Sequence, residues 1–414
     1  MSEGILGKTI KGLYKALCQE EWNATVCGIV VALLSIICLA WARPWGAVGA
    51  IRNWGEWILY YIGIWGDQPA SVLLNTGSVI GLGFVAGAFI SACMGGDFAI
   101  RIPPRLELAK GVFAGIFMGI GSAMCGGCNI GGFYNAVGNL SASGFCMMIG
   151  LVVGAVIGIR YLYFEMEYIT WGSGGAKTIE FPYALKIILG IVTLGVLIWG
   201  TNAYAGSDDG SLTRLAGLLI IPACLGYTMQ RGRWCMIQGF REPHMTGDTK
   251  MAKSVILSVA VLAIGVAVLK YPGIVPDAFD LDDCPDAEGF RSTEHYVRGF
   301  FGWVAIVGGV IFGFGALLAG GCGTGVLWRV GEGQIKLWVV LPIFGITNAF
   351  VDGWFKRNEW EEDGVFGSYV YMPDTWLGYG GTLALIFLVM ALWYIIISWN
   401  EKSEKLMVYH HILE

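Results

Sequence analysis

For 49 consecutive residues, Gly111 to Ile159, the chain carries no Asp, Glu, Lys or Arg. A water-soluble domain of ordinary composition would place about twelve charged side chains in such a stretch. A bilayer core asks for the opposite, roughly 20 apolar residues for each helical crossing. The pattern recurs at Trp22–Ala42, Gln68–Gly96, Ile187–Ser207, Gly299–Trp328 and Thr375–Asn400, all free of charge. The sequence therefore predicts an all-α integral membrane protein, a polytopic helical bundle. Its net charge of -5 gives no basis for binding nucleic acid.

Ten spans are expected, near residues 24–42, 72–93, 111–128, 143–159, 184–201, 213–229, 253–270, 299–320, 337–351 and 378–399. A short aromatic segment, Trp54–Trp65, is expected at the membrane interface. Residues 1–22 read as a separate amphipathic segment. Lys8, Lys11 and Lys15 recur there at helical spacing, which suits the inner membrane surface, and the long apolar core of a signal peptide is missing. Basic residues gather at 1–22, 97–110 and 230–253, whereas the loops at 271–298 and 352–377 are acidic. That alternation places both termini, including the tail at 401–414, inside.

Glycine supplies 63 of the 414 residues. Part of this lets helices approach closely in lipid. Part falls in pairs that would break a helix, and broken backbone at membrane depth has to be buried in protein or line a cavity. Two such breaks match each other. "GSAMCGGCNIGG" at 121–132 aligns with "GALLAGGCGTGV" at 315–326, setting Cys128 against Cys322 and Cys125 against Ala319. "CMGGDF" from Cys93 and "CMIQGF" from Cys235 form a second pair. The expected organisation is a first transmembrane repeat over 23–181 and a second over 182–400, with an outer acidic loop near 271–298. Counting spans puts Cys128 at the outer end of one and Cys322 at the inner end of another. They meet only if the two Gly-Gly-Cys segments enter the membrane from opposite sides. This favours an inverted repeat with Gly-rich broken or re-entrant helices.

Of eleven cysteines, Cys93, Cys128, Cys235 and Cys322 hold these matched positions, and Cys125 completes a CxxC with Cys128. Cys18, Cys27, Cys38, Cys146 and Cys224 fit no pattern and read as packing; Cys284 reads as a loop thiol. Structural zinc wants four ligands, and the four histidines, His244, His295, His410 and His411, all fall outside the apolar spans. No metal or cofactor is expected. Two readings of the five thiols stand. They pack beside glycine, or they line a path for a soft sulfur or selenium substrate, since thiols are polarizable, weak S–H donors. CxxC spacing also permits a Cys125–Cys128 disulfide. Arg329 and Glu332 either pair with each other, or Arg329 draws an anion inward. Asp97 lies either at depth or just outside the bilayer. Cys235, flanked by Arg231, Arg233 and Arg241, reads as an inner-mouth residue.

"FGFGALLAGGCGTGVLWRVGEGQ" at 312–334, "RGRWCMIQGFRE" at 231–242, "TGDTKMAKS" at 246–254 and "MCGGCN" at 124–129 resemble the YeeE/YedE family, most nearly its YedE branch. The likeness spans nearly the whole chain. It implies a multi-pass transporter of the bacterial inner membrane with inverted halves and a narrow constriction. It also implies uptake of a small sulfur- or selenium-containing anion, thiosulfate-like, along Cys93, Cys128, Cys235 and Cys322. Cys125 departs from the branch's pattern. A TusA-like sulfur carrier on the cytoplasmic side is the implied partner, expected as a separate chain. The rival reading is a membrane relay that passes sulfur between Cys persulfides to such a carrier. A third is an assembly protein without a substrate. The first reading makes the chain a transporter rather than an enzyme.

Overall fold

The computed structural model describes residues 5–169, 174–274, 299–360 and 364–408. Cys284 and most of the acidic loop lie outside them. Ten segments are long and apolar enough to cross a membrane, the number read from the sequence. An amphipathic helix, α1 (Ile5–Tyr14), precedes them and is tied down where Tyr14 donates to the carbonyl of Met94.

The helix ends follow local chemistry. Asn23 caps α2 (Ala24–Trp41) by accepting from the Thr25 N–H, and Asn75 caps α4 (Thr76–Gly95) by accepting from that of Ser78. Between them lies α3 (Val48–Tyr61). α4 leads through a short strand, β1 (Ala99–Ile102), into α5 (Arg105–Met124). After a break, a π-helical turn (Asn129–Tyr134) continues into α6 (Asn135–Gly138), then α7 (Ser143–Tyr168). β2 (Lys177–Glu180) pairs antiparallel with β1 and leads to α8 (Tyr183–Ala205).

α9 (Gly210–Arg231) is interrupted before the short α10 (Met236–Met245), and α11 (Lys250–Lys270) follows. α12 (Trp303–Ala319) breaks before α13 (Gly323–Glu332), and α14 (Ile335–Arg357) and α15 (Gly378–Ser403) complete the bundle. Packing crosses between the two sets: α4 lies on α9 and α2 on α11, while α12 lies on α7 and α5 on α14. α4 and α9 touch backbone to backbone. A β-carbon on Gly87 would fall 1.8 Å from the carbonyl oxygen of Ala223, and one on Gly226 would fall 1.9 Å from that of Phe84. Only glycine permits this separation. α8 turns Ile188, Ile191, Val192, Val196 and Trp199 outward, the lipid-facing side of an edge helix.

The aromatic segment at 54–65 is helical only in part. Its helical part belongs to α3, where Ile51, Asn53, Gly55 and Leu59 are buried, while Tyr61, Ile62 and Ile64 are exposed. Gly55 lies against the backbone of Gly345 in α14, a contact that no local pattern reveals and that fixes where the helix packs.

Candidate functional site

Three cysteines sit where helices restart. Cys128 is the N-cap of the π-helical turn, Cys235 that of α10, and Cys322 that of α13. The two Gly-Gly-Cys motifs build this in the same way. Gly126 (φ +64°) and Gly320 (φ +81°) take the left-handed conformation, which ends α5 and α12 and which glycine adopts without a steric cost. Cys128 and Cys322 are then extended, at φ/ψ of -80°/-170° and -74°/-176°. Each carbonyl opens a new helix, Cys128 accepting from the Gly132 N–H at 2.6 Å and Cys322 from that of Val326 at 2.7 Å. At Cys235 the turn is made by Gly232 and by Arg233, whose φ is +50°.

The restarts converge. The sulfurs of Cys235 and Cys322 are 3.9 Å apart, and Cys322 Sγ lies 3.3 Å from Thr324 Oγ1. A β-carbon on Gly325 would fall 3.2 Å from Cys235 Sγ and 3.6 Å from Cys322 Sγ. One on Gly323 would fall 2.8 Å from Cys128 Sγ and 3.6 Å from the β-carbon of Ala47. Cys128, at the far end of α5, and Cys322, at the far end of the antiparallel α12, therefore lie on the two sides of one short stretch of α13. All three sulfurs belong to residues with 0% exposure, and all are free thiols.

The electrostatics of this centre favour an anion. A helix N-terminus presents unpaired N–H groups and the positive end of its dipole. α10 and α13 each run ten residues, and the π-helical turn of six is continued by four more in α6. Their three N-termini face one another. Thr324 and the thiols add O–H and S–H donors.

One side of the centre is charged. Asp97 pairs with Arg231, whose guanidinium also donates to the Cys18 carbonyl. Glu332, fully buried, receives Arg233 at 2.7 Å and lies 3.5 Å from Arg101. Glu332 thus pairs with these two arginines and not with Arg329.

The other two cysteines stand apart. Cys125 donates from Sγ to the Ala305 carbonyl at 3.3 Å, facing α12 rather than Cys128. Cys93 is buried in the last turn of α4, against Phe98, Leu189 and Phe181, with Gly190 of α8 beside its β-carbon. It does not occupy the place that Cys235 occupies; Cys235 precedes a short helix, and Cys93 ends a long one. Among the described residues, no group of three or more His, Cys, Asp or Glu is placed to hold a metal ion.

Asn129 was not singled out in the sequence. It follows Cys128, is 0% exposed, and neither its Oδ1 nor its Nδ2 has a hydrogen-bond partner. A buried amide in that state calls for a ligand or water. The available signal was an amide directly after the CxxC, one of three in the charge-free run with Asn135 and Asn139.

Comparison with known proteins bears on what passes here. The chain matches the sulphur-transport family over residues 7–157 and 231–411. It is 24% identical over 383 residues to "Probable transporter YedE" of Escherichia coli (strain K12), covering 86% of this chain and 87% of that protein. It is 34% identical over 132 residues to "Thiosulfate transporter TsuA" of the same organism, 32% of each chain. The protein of that name from Spirochaeta thermophila is 32% identical over 138 residues, 33% of this chain and 40% of that one.

Proposed function

The chain belongs to the sulphur-transport (YeeE/YedE) family, and from that premise we propose that it imports a thiosulfate-like anion across the inner membrane, past Cys128, Cys322 and Cys235. It is a multi-pass membrane protein and a transporter of sulfur anions. The observation that carries the finer reading is the convergence of three buried thiols at three half-helix N-termini.

The chemistry suits the cargo. An anion entering this centre loses water, which costs heavily unless other donors replace it. The helix dipoles, Thr324 and the thiols supply those donors. S–H groups are weak ones, and conduction needs sites strong enough to admit an anion and weak enough to release it. A polarizable sulfur or selenium atom is the better fit to them. The reading takes the two sets of helices as inverted halves, with α8 in the first set, so that broken helices from both meet at one centre. Cys93 and Cys125 lie off this path. A TusA-like carrier on the cytoplasmic face is the partner it implies.

A relay is the second reading, suggested by the three arginines that flank Cys235 in the chain, Arg231, Arg233 and Arg241. There a Cys235 thiolate would attack the sulfane sulfur of thiosulfate, forming a persulfide and releasing sulfite. One experiment separates the two. Vesicles holding only this protein are given labelled thiosulfate and, separately, labelled selenite. Import of intact thiosulfate supports transport. Sulfite release with label retained on Cys235 supports the relay, and no uptake of either anion removes the transport reading.

A further inference from the structure

Arginines crowd the charged side of the cysteine centre, and the acids are shared unequally among them. Asp97 holds Arg231, with Arg233 at 3.8 Å. Glu332 holds Arg233 and Arg101, and takes a further hydrogen bond from Gln334 at 2.8 Å. Arg241 is 3.4 Å from Glu242. Arg329 receives none of these carboxylates, although Glu332 lies three residues further along the same helix.

Among the described residues Arg329 makes no ion pair and no side-chain hydrogen bond. Its guanidinium carbon lies 4.7 Å from the centre of the Trp328 ring. Its Nη1 would sit 2.8 Å from a β-carbon on Gly321 and 3.9 Å from one on Gly320. The side chain therefore runs back along α13 toward the end that carries Cys322, into room that two glycines leave open. It is half-buried. A cation placed at such depth without an acid is costly to keep. The planar guanidinium matches an oxyanion face better than it matches a bare sulfide.

We propose that Arg329 takes the oxygens of the transported anion as it leaves the Cys322–Cys235 pair, and so restricts the cargo to sulfur oxyanions. Such an anion offers a sulfur atom to the thiols and an oxygen face to the guanidinium; hydrosulfide offers only the first. This inference rests on the reading of the three thiols as a path.

The test is initial uptake into vesicles containing the purified full-length protein. Labelled thiosulfate and labelled hydrosulfide are compared in the parent, Arg329→Gln, Arg329→Lys and Cys322→Ala. Arg329→Gln should lower thiosulfate uptake at least about tenfold, the size expected when a charge-assisted hydrogen-bonding pair is lost. Hydrosulfide uptake should change little, so the ratio between the two anions falls. Arg329→Lys should recover part of that ratio, keeping the charge without the planar fork. If Arg329→Gln does not insert, Arg329→Lys alone must still lower the ratio. An unchanged ratio in the variants that insert, with Cys322→Ala inactive, overturns the role of Arg329 and leaves the path standing. A parent protein no better than empty vesicles overturns both.

Discussion

Cys235 Sγ and Cys322 Sγ lie 3.9 Å apart, brought together from positions 87 residues apart in the chain. Neither sulfur reaches the surface. The contact exists because two helices restart face to face, and glycine at position 325 leaves the space beside both sulfurs open.

That separation makes the pair sensitive to a thiol oxidant. A diazene such as diamide removes one hydrogen from each thiol and is itself reduced to the hydrazine. The sulfurs must then close to about 2.05 Å. Thiosulfate uptake should fall with diamide and return with dithiothreitol. The effect should be absent in Cys235→Ala and retained in Cys125→Ala. Oxidant sensitivity that survives in Cys235→Ala would place the reactive pair elsewhere.

Cys322→Ala and Cys128→Ala should each cut uptake sharply, by about tenfold or more if each thiol supplies a needed contact to the anion. Loss of one buried sulfur should cost stability only on the order of 1–2 kcal/mol, so membrane levels should hold. Uptake at parental rates in both variants would remove the path.

Cys125→Ala should leave transport unchanged. Its sulfur faces the Ala305 carbonyl, and its counterpart in the other motif is already Ala319. The variant loses one weak hydrogen bond, about 0.5–1.5 kcal/mol, visible as a small fall in melting temperature. A transport defect without a stability change would put Cys125 on the path after all.

Gly325→Ala tests the opening itself. Its methyl group would lie 3.2 Å and 3.6 Å from the two sulfurs, close enough to occupy the space without colliding with backbone. The protein should insert and melt near the parental temperature while uptake is largely lost. Parental uptake would show that the anion does not pass between these thiols.

Much of the architecture was legible because it depends on local chemistry. Charge-free runs give the ten spans, and Gly-Gly before Cys gives the breaks after α5 and α12. The structure brings Cys128 beside Gly323, the residue after Cys322. Other features needed tertiary information. Cys93 and Cys235 share Cys-Met and a later Phe, but a short string does not say whether it ends a helix or begins one. The packing of α3 on α14 rests on Gly55 meeting Gly345. Glu332 stands three residues from Arg329, the usual spacing for a helical pair, yet Arg233 from the turn after α9 and Arg101 from β1 reach it instead. Asn129 shows its unpartnered amide only when its surroundings are known.

The three half-helix N-termini have a consequence for energetics. Cys128, Cys235, Cys322, Thr324 and the glycines around them are all uncharged groups. An anion that crosses such a centre with no companion cation carries net charge, and its passage is electrogenic. Moving one elementary charge against a potential of about 100 mV costs roughly 2.3 kcal/mol, and a dianion twice that. An inside-negative cell would hold a dianion crossing alone out by a concentration ratio on the order of a thousandfold at equilibrium. Under the proposed reading without a co-transported cation, inward flow would then depend on cytoplasmic reactions that consume the anion, and vesicles polarised negative inside should fill more slowly than unpolarised ones; equal or faster filling would point to a co-transported cation.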